Sequence, residues 1–194
     1  MGDFISHLQK YSAVCNYSGT DKITSHSYGD VYNRIFEKLR RRDEAGEVLH
    51  VLENGIFSGA FLQVMSEYLP NAMVYGVDIT LSRVKYGNDN KRIQMWEMDG
   101  TLPETAAHLG RMYDLIIEDG SHLPEHQIAS LDTFAPYLKT GGTYVIEDID
   151  GRYEMFLQNE FNRLAVKHKL TMEWIDLRSK KGRFDDIIAV FYKH

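Results

Sequence analysis

Cysteine occurs once in the 194 residues, at Cys15. No internal disulfide can form, and no second thiolate is present to complete a zinc site. A reducing, cytoplasmic compartment suits such a chain. Met1 to Ala13 lacks the apolar run of a signal peptide, and no later stretch approaches the roughly 20 apolar residues of a membrane span. Positive charge is also short: the net charge is −6, which argues against a nucleic-acid partner, because a phosphate backbone needs a basic face. Arg40, Arg41 and Arg42 are the only tight basic cluster, and the expectation for them is the solvated end of a helix.

What the chain has is an alternation. Tyr28 to Arg42 carries Val31, Ile35, Phe36 and Leu39 on one helical face, with Gly46 just beyond. Val48 to Leu52 is a short apolar run suited to a strand covered on both faces. Helical spacing returns through Phe61, Leu62, Met65 and Leu69 until Pro70. Strands follow at Met73–Val77, Arg92–Met98 and Tyr113–Ile117. A short helix is expected over Leu81–Tyr86, another over Leu102–Leu109, and a longer one over Pro124–Leu138. A fifth strand covers Thr143–Ile146. A helix follows over Tyr153–His168, its Phe156, Phe161 and Leu164 expected in the core. Two last strands, Leu170–Leu177 and Asp186–Tyr192, are joined by a hairpin-like connection, which makes the final strand antiparallel. The expected fold class is α/β: a Rossmann-like, doubly wound, seven-stranded sheet, mostly parallel with an antiparallel last strand. It forms a single domain over 1–194, with a polar lead-in and helix over 1–45 and the core over 46–194.

Ligands of such sheets bind beyond the carboxyl ends of the strands. The first of these ends reads Glu53-Asn54-Gly55-Ile56-Phe57-Ser58-Gly59. Its glycines allow close backbone approach, but the spacing is not G-x-G-x-x-G, so a pyrophosphate turn is not indicated. The second strand ends at Asp78, placed to accept from both hydroxyls of a ribose. Its competing role is to cap the next helix near Thr80. Asp99, past the third strand, could meet an adenine amino group, or could be a simple turn residue before Gly100. Together these residues fit S-adenosylmethionine better than NAD.

The fourth strand runs into Glu118-Asp119-Gly120-Ser121-His122 and the fifth into Glu147-Asp148. Asp119, Glu147 and Asp148 therefore reach one rim, where crowded carboxylates call for a cation. Oxygen ligands suit Mg²⁺. His122 could then accept a proton from a substrate hydroxyl whose pKa the metal lowers. Strand-end carboxylates that only cap helices, and a surface-turn histidine, are the bland alternative.

E-x-G-x-x-x-G, an Asp after each of the next two strands, and a reversed final strand resemble the class I methyltransferases. The E-D-G-S-H stretch with the later E-D pair is similar to the metal-dependent macrolide-sugar O-methyltransferases, and also to cephalosporin-hydroxylase-like proteins. That resemblance implies Mg²⁺ on Asp119, Glu147 and Asp148, with His122 as the base. Gly19-Thr20-Asp21-Lys22, with His26 and Tyr28, looks like a segment that lies near the cofactor and active site in that group. The resemblance thus adds Thr20, Lys22 and Glu118 to Glu53, Gly55, Gly59, Asp78 and Asp99 as the cofactor-binding set. The acceptor it implies is a hydroxylated small molecule such as a sugar, with no nucleic acid and no membrane; homo-oligomers are left open. Two departures stand out: Glu118 stands where the family often has Asp, and the first glycine loop carries fewer glycines; the extra N-terminal domain of the macrolide enzymes is also expected to have no counterpart. A metal-independent methyltransferase, a non-catalytic binding module and a nucleotide-dependent oxidoreductase are the competing readings.

Overall fold

A computed structural model of the chain describes residues 3–12 and 19–194. Cys15 and the turn-forming Ser18 lie outside the described residues. Seven strands form one sheet: β1 (His50–Asn54), β2 (Met73–Asp78), β3 (Ile93–Glu97), β4 (Tyr113–Glu118), β5 (Leu138–Ile146), β6 (Leu170–Asp176) and β7 (Ile187–Lys193), in the order β3-β2-β1-β4-β5-β7-β6. Only β7 runs antiparallel, to both β5 and β6. The strand order turns back between β1 and β4, and that is where a doubly wound sheet opens a crevice.

Two apolar layers cover the sheet. Helices α1 (Phe4–Tyr11), α2 (Gly29–Glu44) and α3 (Ala60–Tyr68) bury Phe4, Tyr32, Phe36 and Phe61 on one face. Helices α4 (Pro103–Leu109), α5 (Pro124–Phe134) and α6 (Glu154–His168) bury Leu109, Leu131, Phe134 and Phe161 on the other. This double cover explains why the central strands read as continuous apolar runs. None of the described helices is long and apolar enough to cross a membrane.

Several expectations need correction. The lead-in contains a helix: the Asp3 carboxylate accepts from Ser6 N at 2.8 Å and caps α1. Phe4 then stacks on Phe36 with ring centroids 3.9 Å apart. Leu81–Tyr86 is not a helix, because tertiary acceptors take its amides. Glu97 accepts from Leu81 N at 2.8 Å, and the Ser58 carbonyl accepts from both Lys85 N and Tyr86 N. The β6–β7 connection holds one helical turn, α7 (Arg178–Lys181), closed by Gly182 at φ +72°. Of the arginine triplet, Arg42 clamps the buried Asp114 at 2.7 Å and Arg40 pairs with Glu44 at 2.8 Å, so only Arg41 fits the solvated reading. Phe161 and Leu164 are buried, but Phe156 is 53% exposed.

Candidate functional site

The parallel β4–β5 register pairs Glu118 with Ile146, so the residues that follow leave the sheet side by side. Glu147 N donates to the Glu118 carbonyl at 3.1 Å, and Asp119 N donates to the Asn54 carbonyl at 2.8 Å. The ends of β1, β4 and β5 thereby share one rim. A cavity of about 510 Å³ opens there, lined among others by Thr20, Lys22, Glu53, Gly55, Phe61 and Asp119.

Lys22 is the hub of the site and is almost wholly buried. Its Nζ lies 2.7 Å from Asp119 Oδ2, 2.8 Å from Glu147 Oε2 and 3.9 Å from Glu53 Oε1. It also sits 4.5 Å from the centroid of the Phe61 ring. Burial works against its charge, but the carboxylates of Asp119, Glu147 and Glu53 outweigh it and hold the ammonium well above the usual lysine range. Its segment is tied down from below. Lys181 Nζ donates to the carbonyls of Ile23, Thr24 and His26 at 2.7, 2.9 and 2.5 Å, and Asp186 accepts from Ser27 N at 3.0 Å.

Asp119, His122 and Asp148 each offer a ligand atom, all within 4.8 Å of one another. His122 Nε2 lies 3.3 Å from Asp119 Oδ1 and 3.5 Å from Asp148 Oδ2. Burial lowers the imidazole pKa, but the hydrogen bond to Asp119 and the charges of Asp119 and Asp148 raise it to about 9. Asp119 is opposed by burial yet lowered to about 2 by Lys22 and His122. Asp148 moves well above its ordinary value through burial and the Asp119 charge. It accepts from Tyr28 OH at 2.6 Å.

The backbone is strained at this same place. Among the described residues, four non-glycine residues have positive φ: Phe57, His122, Asp148 and Lys169. The first three line the cavity. Each left-handed residue costs about 1–3 kcal/mol, and such strain persists mainly where function requires the conformation.

The other sequence candidates divide. Glu53 is buried at the cavity with Oε2 unpartnered, and burial raises it to about 8 against the pull of Lys22. Gly55, at φ +89°, lets the loop pass the Asp119 carbonyl, because a Cβ there would stand 2.1 Å from that oxygen. Gly59 caps α3 at φ +76° without lining the cavity. Asp78 also lies outside the lining: its Oδ2 accepts from Ile56 N and Phe57 N, both at 3.0 Å, and its Oδ1 from Thr80 N at 3.1 Å. Asp99 accepts from Thr101 N at 2.9 Å, as a turn residue does. Glu118 is buried beneath the rim, raised to about 7 chiefly by burial, with Oε1 accepting from Gly120 N at 3.2 Å. Glu147 stands beside Asp119, His122 and Asp148, but its carboxylate is taken by Lys22 and Tyr32 OH.

Residues 31–183 match the FtsJ-like methyltransferase family. The chain belongs to that family. This FtsJ-like methyltransferase is 35% identical over 127 residues to L-olivosyl-oleandolide 3-O-methyltransferase of Streptomyces antibioticus, a match covering 63% of this chain and 32% of that protein. It is 30% identical over 149 residues to 8-demethyl-8-alpha-L-rhamnosyl tetracenomycin-C 2'-O-methyltransferase of Streptomyces olivaceus, covering 74% and 39%. The chain thus spans about a third of the length of the curated relatives it matches. Its fold matches that of the MycE methyltransferase from the mycinamycin pathway, solved with Mg, SAH and mycinamycin VI. The TM-score is 0.74 at 20% identity, covering 99% of this chain and 54% of the other.

Tyr32 and Phe61 reach the site without having been singled out as functional. Tyr28 and Tyr32 stand four residues apart, on one helical face. That spacing alone reads as core, and only the carboxylates above it turn the tyrosines into donors.

Proposed function

We propose that this FtsJ-like methyltransferase transfers a methyl group from S-adenosylmethionine to a hydroxyl of a sugar or similar small molecule, assisted by a divalent cation. One observation carries the reading: Asp119, His122 and Asp148 converge at the rim of the cavity that Glu53 and Gly55 line. Residues 1–45 belong to the same working unit, since Lys22, Tyr28 and Tyr32 all reach the rim from it.

The residues present suit the cofactor. The unpartnered Glu53 Oε2, buried at the cavity wall, is an acceptor in search of a donor such as an amino group. Asp78, half-buried at the end of β2, has the acceptor type a ribose diol needs, although its contacts now go to the glycine loop. S-adenosylmethionine supplies a methyl on a positively charged sulfur.

Asp119 and Asp148 suit a hard divalent cation, as two carboxylates with a histidine between them. Such a cation would lower the pKa of an acceptor hydroxyl and bring it to the rim. His122 Nε2 would take the hydroxyl proton, freeing the oxygen to attack the methyl carbon with the thioether sulfur as the leaving group. To act as a base the imidazole must be neutral, and the carboxylates of Asp119 and Asp148 now hold it protonated near neutral pH. Once those carboxylates are engaged elsewhere, the imidazole is free to accept. Tyr28 keeps Asp148 in its left-handed conformation by bonding both its Oδ1 and its amide. Glu147 anchors Lys22, and it becomes a third ligand only if Lys22 and Tyr32 release it.

His122→Ala should abolish turnover and leave S-adenosylhomocysteine affinity within a few-fold. Loss of cofactor affinity would contradict its role as base. A metal-independent reading has one observation in its favour: Lys22 already neutralises Asp119 and Glu147. Methyl transfer that survives EDTA would decide for that reading.

A further inference from the structure

His122 and Asp148 both stand in the left-handed region, at φ +60° and +52°. Non-glycine residues keep that conformation only where their surroundings hold them in it. At Asp148 the holding groups flank one peptide unit. The Asp148 N–H donates to Tyr28 OH at 3.2 Å, and the Glu147 carbonyl at the other end of the same unit accepts from Gln127 Nε2 at 2.8 Å. Tyr28 belongs to one apolar layer, while Gln127 stands on α5 in the other, so the unit is gripped from both faces of the sheet. The turn at His122 is held from the same helix. His126 Nδ1 lies 2.7 Å from Ser121 Oγ, and that oxygen also accepts from Leu123 N at 3.4 Å. The Ser121 side chain thus bridges the residues before and after His122. Two consecutive residues near the start of α5 each fasten one of the two loops that face the cavity.

Gln127 is an unfavourable way to fill its site. It is fully buried, and its Oε1 has no partner among the described residues. An apolar side chain of that size would leave no orphaned acceptor, and buried polar groups destabilise unless they are bonded. What an apolar side chain cannot supply is the donor to the Glu147 carbonyl.

We propose that Gln127 and His126 are positioning residues, which together set the separation of Asp119, His122 and Asp148 on which a shared cation depends. The proposal rests on the divalent-cation reading above and adds the groups that stand behind the ligands. Neither side chain lines the cavity, so each acts through a loop and not on the reacting atoms. Removing groups that orient metal ligands typically weakens metal binding about 10–100-fold.

The test titrates Mn²⁺ into the metal-free chain and reads the free ion by its EPR signal. Gln127→Met keeps the length of the side chain and suits a helix, but removes the donor. It should raise the Mn²⁺ dissociation constant about tenfold or more. The melting midpoint should stay within about 4 °C, and S-adenosylhomocysteine affinity within about twofold. His126→Leu should weaken Mn²⁺ binding in the same way. His126→Asn, whose amide can stand where Nδ1 does opposite Ser121, should restore most of the affinity. His126 is half-buried, and its two variants decide the matter if Gln127→Met does not fold. A merely structural role would lower the melting midpoint and leave the Mn²⁺ affinity of the folded protein unchanged. Unchanged affinity in Gln127→Met and His126→Leu overturns the proposal and leaves the cation reading standing. Equal weakening by His126→Leu and His126→Asn removes His126 from it. A wild-type chain that binds no Mn²⁺ overturns the cation reading, and this proposal with it.

Discussion

Replacing Lys22 by Met tests the electrostatic design of the site. The wild-type ammonium lies within 3.9 Å of Glu53, Asp119 and Glu147. Methionine keeps most of the aliphatic stem but removes the ammonium, and with it the contact with Phe61, leaving those carboxylates without their shared cation. Removing one partner from a buried ion pair costs about 3–5 kcal/mol, because the remaining charge is buried and uncompensated. The Lys22 side chain is 2% exposed, so solvent does little to reduce that figure. The cost depends on pH in a defined direction. In the wild type Asp119 is held at about 2, below its ordinary value, so its stabilisation is present above pH 4 and is lost as the pH falls through about 2. In the variant the main lowering influence is gone and the native carboxylates bind protons more readily than the unfolded chain. Stability must then fall as pH rises. Urea unfolding at pH 5.5 and pH 8 should show the larger loss at pH 8. A loss below about 1 kcal/mol at pH 8, or one that grows on acidification, would refute the assignment of Lys22 as the hub.

The His122 imidazole should titrate near 9 by NMR in metal-free protein, and Mg²⁺ should move it downward by engaging Asp119 and Asp148. Because that pKa lies above the ordinary histidine value, the stabilisation it brings is complete below about pH 6.5 and lost as pH rises through about 9. A midpoint near 6.5 without metal would show that the carboxylates do not hold it. Gly55→Ala should destabilise the fold by several kcal/mol, since it combines φ +89° with a Cβ 2.1 Å from the Asp119 carbonyl oxygen. A melting temperature within about 2 °C of wild type would mean that the loop yields more easily than its packing indicates.

Much of the fold was legible because its signals are local. The apolar runs of the central strands, the helical faces of α2, α3 and α5, and the loop between β6 and β7 carry topology in short windows. The failures came where distant groups decide. Leu81 to Tyr86 has helix-compatible residues, but Glu97 and Ser58 take its amides. The α1 helix is anchored by Phe4 and Leu8 alone, too few for a periodic pattern. At the site, neighbouring parallel strands made the convergence of Asp119, Glu147 and Asp148 predictable. The partner of each carboxylate was not, because Lys22, Tyr28 and Tyr32 come from 97 to 125 residues earlier in the chain. Asp78 and Asp99 show the same limit: the sequence gives their strand-end positions, while backbone amides in nearby turns claim their side chains.

Thermal unfolding with S-adenosylhomocysteine, with and without Mg²⁺, tests the central claim most directly. A ligand of the native state adds about 2.7 kcal/mol at a hundred times its dissociation constant, so the midpoint must rise. The account predicts a rise with S-adenosylhomocysteine and a further rise with Mg²⁺, the second abolished by Asp148→Asn. No rise with S-adenosylhomocysteine at any concentration would contradict it.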